Sequence, residues 1–156
     1  MSQLELLGYC GLYCGACTHF RSSFPDGAHL LEKVKQQGGD PAGYQCRGCR
    51  SAKLNIHPGC RECRIRACAT EKGWLHCGLC PELPCRMIRD FIGDGRAHHR
   101  DVRDQLAAIT QKGAEPWLLD QQQRWTCGCG REYSWYENVC SNCGAALQCY
   151  EMAVEP

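Results

Sequence analysis

Apolar side chains recur at helical spacing in several stretches of this chain. Leu30, Leu31 and Val34 form one stripe. Phe24-Pro25-Asp26 ahead of it supplies a stop and an N-cap, and Gly38-Gly39-Asp40-Pro41 ends it. Arg64 to Lys72 is long enough for about two helical turns, closed by Gly73. Met87, Ile88, Phe91 and Ile92 make a second stripe, ended at Gly93-Asp94-Gly95. Val102, Leu106 and Ile109 repeat that face and stop at Gly113. Glu115-Pro116 then opens a last helix, with proline in the tolerated first turn and Trp117, Leu118 and Gln121 continuing it. These stripes are read as core packing. Beyond them the pattern becomes β-prone (Tyr133, Trp135, Tyr136, Val139). Tyr133 and Trp135 share one strand face there, able to stack on bases or to pack against the preceding helix.

Between these elements the chain is punctuated by cysteine, and that changes the picture. The residues 46–85 hold eight of the sixteen cysteines. Cys60-x2-Cys63-x4-Cys68 is echoed by Cys77-x2-Cys80-x4-Cys85, each cysteine returning after seventeen residues (77−60, 80−63, 85−68). The apolar share of 44% includes cysteine. Without its 16 of 156 residues about 34% remains, thin for a core with no staples. CxxC pairs bring two sulfurs to one ion from a tight turn, whereas disulfide frameworks space their partners less regularly. The N-terminus has no basic segment followed by an apolar run, and no window approaches eighteen consecutive apolar residues. These features predict a reduced, cytoplasmic, thiolate-metal protein away from membranes.

Net charge is +1 (18−17), which exerts no global pull on nucleic acid. Residues 46–103 nevertheless carry twelve Lys and Arg against six Asp and Glu. That excess either offsets bound thiolate charge or marks a nucleic-acid patch.

Three cysteine constellations carry the chemistry. Cys10, Cys14 and Cys17 form CxxxCxxC in a glycine-bearing loop, the spacing that holds an iron–sulfur cluster in radical S-adenosylmethionine enzymes. The strand–helix repeats of their barrel are missing here. Cys46, Cys49, Cys60, Cys63, Cys68, Cys77, Cys80 and Cys85 follow. His57 and His76 are each placed to complete a site of three cysteines and one histidine. The third is Cys127-x-Cys129, then Cys140-x2-Cys143, two cysteine turns flanking the β-prone strip in a zinc-ribbon pattern. Its first turn is CxC where ribbons usually have CxxC. Cys149 stands outside as a spare thiol. His19 and His29 are read as surface or packing residues, and adjacent His98-His99 as a solvated helix start.

CGLYCGAC, QCRGC and GCRECRIRACATEKGWLHCGLCPELPC together resemble the cysteine-rich domain-of-unknown-function 3795 family. The resemblance covers roughly residues 8–92 and takes in all eleven N-terminal cysteines. Some members carry a similar helical extension and C-terminal ribbon. It implies a small prokaryote-type cytosolic protein suspected of binding metal, and it brings no activity or catalytic residue.

The expected fold is small, irregular α+β. Metal-stapled Cys-rich loops and short helices occupy 1–92, a helical connector 93–124, and a zinc-ribbon hairpin 125–150. Eleven N-terminal cysteines do not divide into fours, so their grouping stays open. The cofactor expected is zinc, in two to four ions, with an iron–sulfur cluster as the alternative. No Ser/His/Asp set, paired carboxylates or phosphate-cradling glycine loop is present. The function expected is therefore a binding module for a protein or nucleic-acid partner. The alternatives are an iron–sulfur redox protein and a metal-dependent enzyme with an open ligand position near Cys10–Cys17.

Overall fold

Helical periodicity decides the middle of the chain. The computed structural model describes residues 3–36, 38–52 and 55–151. Among these the regular elements are α1 (Thr18–Arg21), α2 (Ala28–Gln36), α3 (Pro58–Arg61), α4 (Arg64–Glu71), α5 (Arg86–Ile92), α6 (Val102–Lys112) and α7 (Ala114–Arg124), with short 3-10 turns between several of them. The protein is mostly helical, and none of its described helices is long and apolar enough to cross a membrane.

The α6–α7 hairpin is the scaffold. α6 buries Val102, Leu106 and Ile109 on one face, the i, i+4, i+7 stripe its sequence predicts. Gly113 at φ +89 joins the two helices, a left-handed position that a side chain would strain. α7 then buries Trp117, Leu118 and Gln121. The polar ends of Trp117 and Trp125 both find partners, as large amphipathic rings favour. Trp117 Nε1 donates to Gln105 Oε1 at 2.8 Å, and Trp125 Nε1 donates to Gln121 Oε1 at 3.3 Å.

The N-terminal cysteine loop lies directly on this hairpin. A Cβ added at Gly11 would sit 2.7 Å from the Leu106 side chain, so only glycine lets the loop approach α6 so closely. Tyr13 meets Trp117 edge-on, with ring centroids 6.3 Å apart. Leu7, Ile65 and Ile88 join the same core, which continues through Trp125, Tyr133 and Trp135.

Three expectations change. The first is the terminal hairpin: among the described residues there are no strands, only isolated antiparallel bridges at Leu7–Tyr13, Thr126–Glu132 and Val139–Ala146. The β-prone strip uses its backbone for tertiary bonds instead, and those leave no ladder to extend. The Trp135 amide donates to the Ala16 carbonyl at 2.9 Å, the Tyr150 amide to the Trp135 carbonyl at 2.8 Å, and the Ser134 amide to Glu137 Oε2 at 2.7 Å. Tyr133 and Trp135 are accordingly buried, and packing is the one of their two readings that survives.

The second concerns His98 and His99. They occupy a 3-10 turn (Ala97–His99), and His99 is buried. His98 stacks on Trp135 with centroids 4.3 Å apart, and His99 stacks on Phe91 at 3.6 Å. The third is Asp26, which lies in a 3-10 turn before α2 and pairs its carboxylate with Arg21 instead of capping the helix.

Candidate metal centre

α7 ends at Arg124 and buried Trp125 turns the chain into the first cysteine turn. There the Cys127 amide donates to the Arg131 carbonyl and the Gly130 amide to the Cys127 carbonyl, both at 2.8 Å. The second turn repeats the arrangement: the Cys140 amide donates to the Ala145 carbonyl at 2.8 Å and the Gly144 amide to the Cys140 carbonyl at 2.9 Å. One antiparallel bridge closes each turn, and a glycine at positive φ sits in each, Gly130 at +87 and Gly144 at +72. Two matching turns thus face each other without a hairpin.

Their side chains converge. The Sγ atoms of Cys127, Cys129, Cys140 and Cys143 all lie within 4.8 Å of one another. Cys127 and Cys143 stand 3.6 Å apart and Cys129 and Cys140 3.7 Å. Cys127 and Cys140 are buried, while Cys129 and Cys143 are exposed. This group could hold a metal ion.

Local donors prepare it for one. Asn142 Nδ2 donates to Cys129 Sγ at 3.5 Å. That bond, then the Arg131 amide, brings the Cys129 thiol down to about 6. The Cys143 amide, the largest influence on Cys140, holds its pKa below the usual thiol range. Cys143 moves the other way, to about 12: the Ala145 amide pulls it down, but the thiols of Cys127, Cys129 and Cys140 together outweigh that pull. Part of the set is therefore held as thiolate, the form a metal needs. Behind it, Arg131 donates to buried Glu137 at 2.9 Å and also interacts with Cys140.

Among the described residues no other three sulfur, imidazole or carboxylate donors lie within that mutual distance. The eleven N-terminal cysteines are nevertheless not scattered. Cys14 hydrogen-bonds Cys49, an interaction that raises the first thiol and lowers the second. Burial pushes up Cys10, with Cys49, Cys63 and Cys77 adding to the rise. Burial also lifts Cys17, to about 12, with Cys46 and Cys60 contributing, and lifts Cys60 to about 11, with Cys46, Cys63 and Cys49 contributing. The Cys10–Cys17 loop therefore lies near Cys46, Cys49, Cys60 and Cys63, and the Cys77 amide donates to the Tyr9 carbonyl at 2.8 Å. Cys68, Cys77, Cys80 and Cys85 line a separate apolar cavity. All sixteen cysteines are free thiols, with Cys149 half-buried outside every group.

The histidines are engaged in packing and capping. Nδ1 of His57 accepts from the Gly59 amide at 3.2 Å, and Nδ1 of His76 from the Gly78 amide at 3.1 Å. His29 Nε2 lies 2.7 Å from Glu137 Oε1. His19 stacks on His57 at 3.6 Å. Several arginines of the basic stretch hold main-chain carbonyls: Arg50 that of Leu7, Arg61 that of Ile56, Arg66 that of Arg61 and Arg89 that of Pro84. Only its place inside CSNC, between Cys140 and Cys143, marks Asn142 in the sequence.

A family model described as "Protein of unknown function (DUF3795)" matches residues 6–90. That span is 85 of 156 residues (90−6+1), and the chain belongs to this family. The match encloses all eleven N-terminal cysteines and ends before the C-terminal four. No curated protein and no solved structure matches the chain.

Proposed function

We propose that this DUF3795 member is a multi-site metal–thiolate protein that holds zinc in its C-terminal cysteine group and works as a binding module. The observation that carries the reading is the meeting of four Sγ atoms within 4.8 Å. Zinc–sulfur bonds of about 2.3 Å in a tetrahedron set the sulfurs about 3.8 Å apart. The 3.6 and 3.7 Å pairs are close to that spacing. Four thiolates complete zinc's shell and leave no position for a substrate, which makes such a site structural.

The chain divides in this reading into a cysteine-rich domain (1–92), a helical connector (93–124) and a ribbon-like zinc module (125–150). The N-terminal cysteines supply the further sites, for two to four ions in all. The partner is a protein or a nucleic acid. The arginines that hold carbonyls support a structural use of the local positive charge. An enzyme reading would need an open ligand position near Cys10–Cys17, and the Cys14–Cys49 hydrogen bond favours shared ligands there.

The test is metal analysis of the full chain purified anaerobically, beside its Cys140→Ser variant. The variant is expected to lose about one equivalent of zinc. Equal zinc in the two proteins would refute the C-terminal site.

A further inference from the structure

The seventeen-residue repeat does not hold its two units apart. Its second unit contributes Cys77, Cys80 and Cys85 to one interior cavity, and its first contributes only Cys68. The geometry follows from the helices that each unit starts. Cys63 is the N-cap of α4, which carries Cys68 one turn further on, while Cys85 is the N-cap of α5. α4 packs on α5, and Ile65 and Ile88 are buried beside the cavity. Cys77 and Cys80 come from a tight turn in which the Cys80 amide donates to the Cys77 carbonyl at 3.0 Å.

Sulfur spacing then separates two kinds of occupant. No three of these four sulfurs fall within 4.8 Å of one another, unlike those of the C-terminal group. A single zinc ion would need them about 3.8 Å apart. An iron–sulfur cluster carries its protein thiolates on two or more irons joined by inorganic sulfide, so the thiolates stand farther apart. The remaining lining is apolar, including Trp74, Leu83 and Met87, a dry environment that soft thiolate–iron bonding tolerates well.

We propose that Cys68, Cys77, Cys80 and Cys85 bind one iron–sulfur cluster, between the two repeat units. The proposal rests on the multi-site thiolate reading above and gives one of its N-terminal sites a ligand set and a cofactor class.

The experiment uses the full chain, reconstituted anaerobically with ferric iron, a thiol reductant and sulfide in the presence of zinc. Wild type is expected to turn brown and to hold iron and acid-labile sulfide in equal amounts, about two or about four of each per chain. Cys80→Ser should lose the iron and sulfide while keeping the C-terminal zinc, which also reports that the variant is folded. Cys140→Ser should lose zinc while keeping iron and sulfide. Should Cys80→Ser fail to fold, Cys68→Ser takes its place with the same expected loss. Wild type that holds zinc but no labile sulfide overturns the cluster and leaves the proposed function standing. Full iron and sulfide in both repeat variants moves the cluster to other cysteines and overturns this ligand set. A wild-type chain that binds no metal sinks both readings.

Discussion

Arg21 of α1 donates to Glu132 Oε2 at 2.6 Å, joining a residue inside the family match to one inside the C-terminal cysteine module. The same guanidinium pairs with Asp26. Arg21 is 5% exposed, so its charge relies on these two carboxylates.

Removing that charge should loosen the module from the rest of the chain. Both carboxylates retain solvent contact, with side chains 34% and 44% exposed. Arg21→Met is therefore expected to cost about 1–3 kcal/mol, below the figure for a fully buried pair. Denaturant unfolding of the metal-loaded protein measures it, and an unchanged midpoint would mean the pair is neutral.

The Gly11–Leu106 contact makes a double-mutant prediction. Gly11→Ala meets both a left-handed φ of +87 and the Leu106 side chain at 2.7 Å. Left-handed strain alone is worth about 1–2 kcal/mol, and the overlap adds to it. Leu106→Ala on its own should cost about 2–5 kcal/mol for the cavity it leaves. In that background Gly11→Ala should be milder than in wild type. Strictly additive effects would show that the loop moves away freely.

Asn142→Ala removes the largest influence lowering the Cys129 thiol. Thiolates compete with protons for metal, so the variant should release its C-terminal zinc at a higher pH than wild type. A zinc-release curve against pH reads the displacement directly. A shift to lower pH, or none, would detach Asn142 from the site.

His98 makes stability depend on pH. Burial, His99 and Arg96 lower its pKa from 6.5 to about 3, with Asp94 opposing and His19 adding slightly. Between those values the unfolded chain binds the extra proton and the native one does not. This contribution to stability is therefore whole above about pH 6.5 and is lost as pH falls toward 3. His98→Phe keeps a ring on Trp135 and removes the titrating group. Its melting temperature should fall less than that of wild type between pH 7 and pH 4.5, and parallel curves would reject the assignment.

Much of the helical framework could be read in advance because its cause is local. Val102, Leu106 and Ile109, or Trp117, Leu118 and Gln121, lie on one face by spacing alone, and Gly73, Gly93 and Gly113 stop their helices where expected. The C-terminal four-cysteine group was legible for the same reason, since CxC and CxxC turns have few ways to present sulfur. The hairpin between them was not. Tyr133, Trp135 and Tyr136 favour strand, but the Trp135 amide bonds Ala16 from the other end of the chain, and no local pattern announces that partner. Cys68 illustrates the limit for grouping. The repeat sets it beside Cys60 and Cys63 and leaves its partners open, whereas helix packing brings it to the cavity lined by Cys77, Cys80 and Cys85. His98 and His99 look solvated as a polar pair, yet His99 is buried and His98 half-buried, stacked on the ring faces of Phe91 and Trp135.

Leu7, Tyr13, Ile65 and Ile88 all lie within residues 6–90, yet they share their core with α6, α7 and the segment after them. Cut at residue 92, this chain would lay those side chains bare to water on one side. The matched region is thus half of a closed object, and α6 and α7 form its other wall. A relative built from the matched region alone would need a different lid, whether a helix of its own, a second copy or another protein.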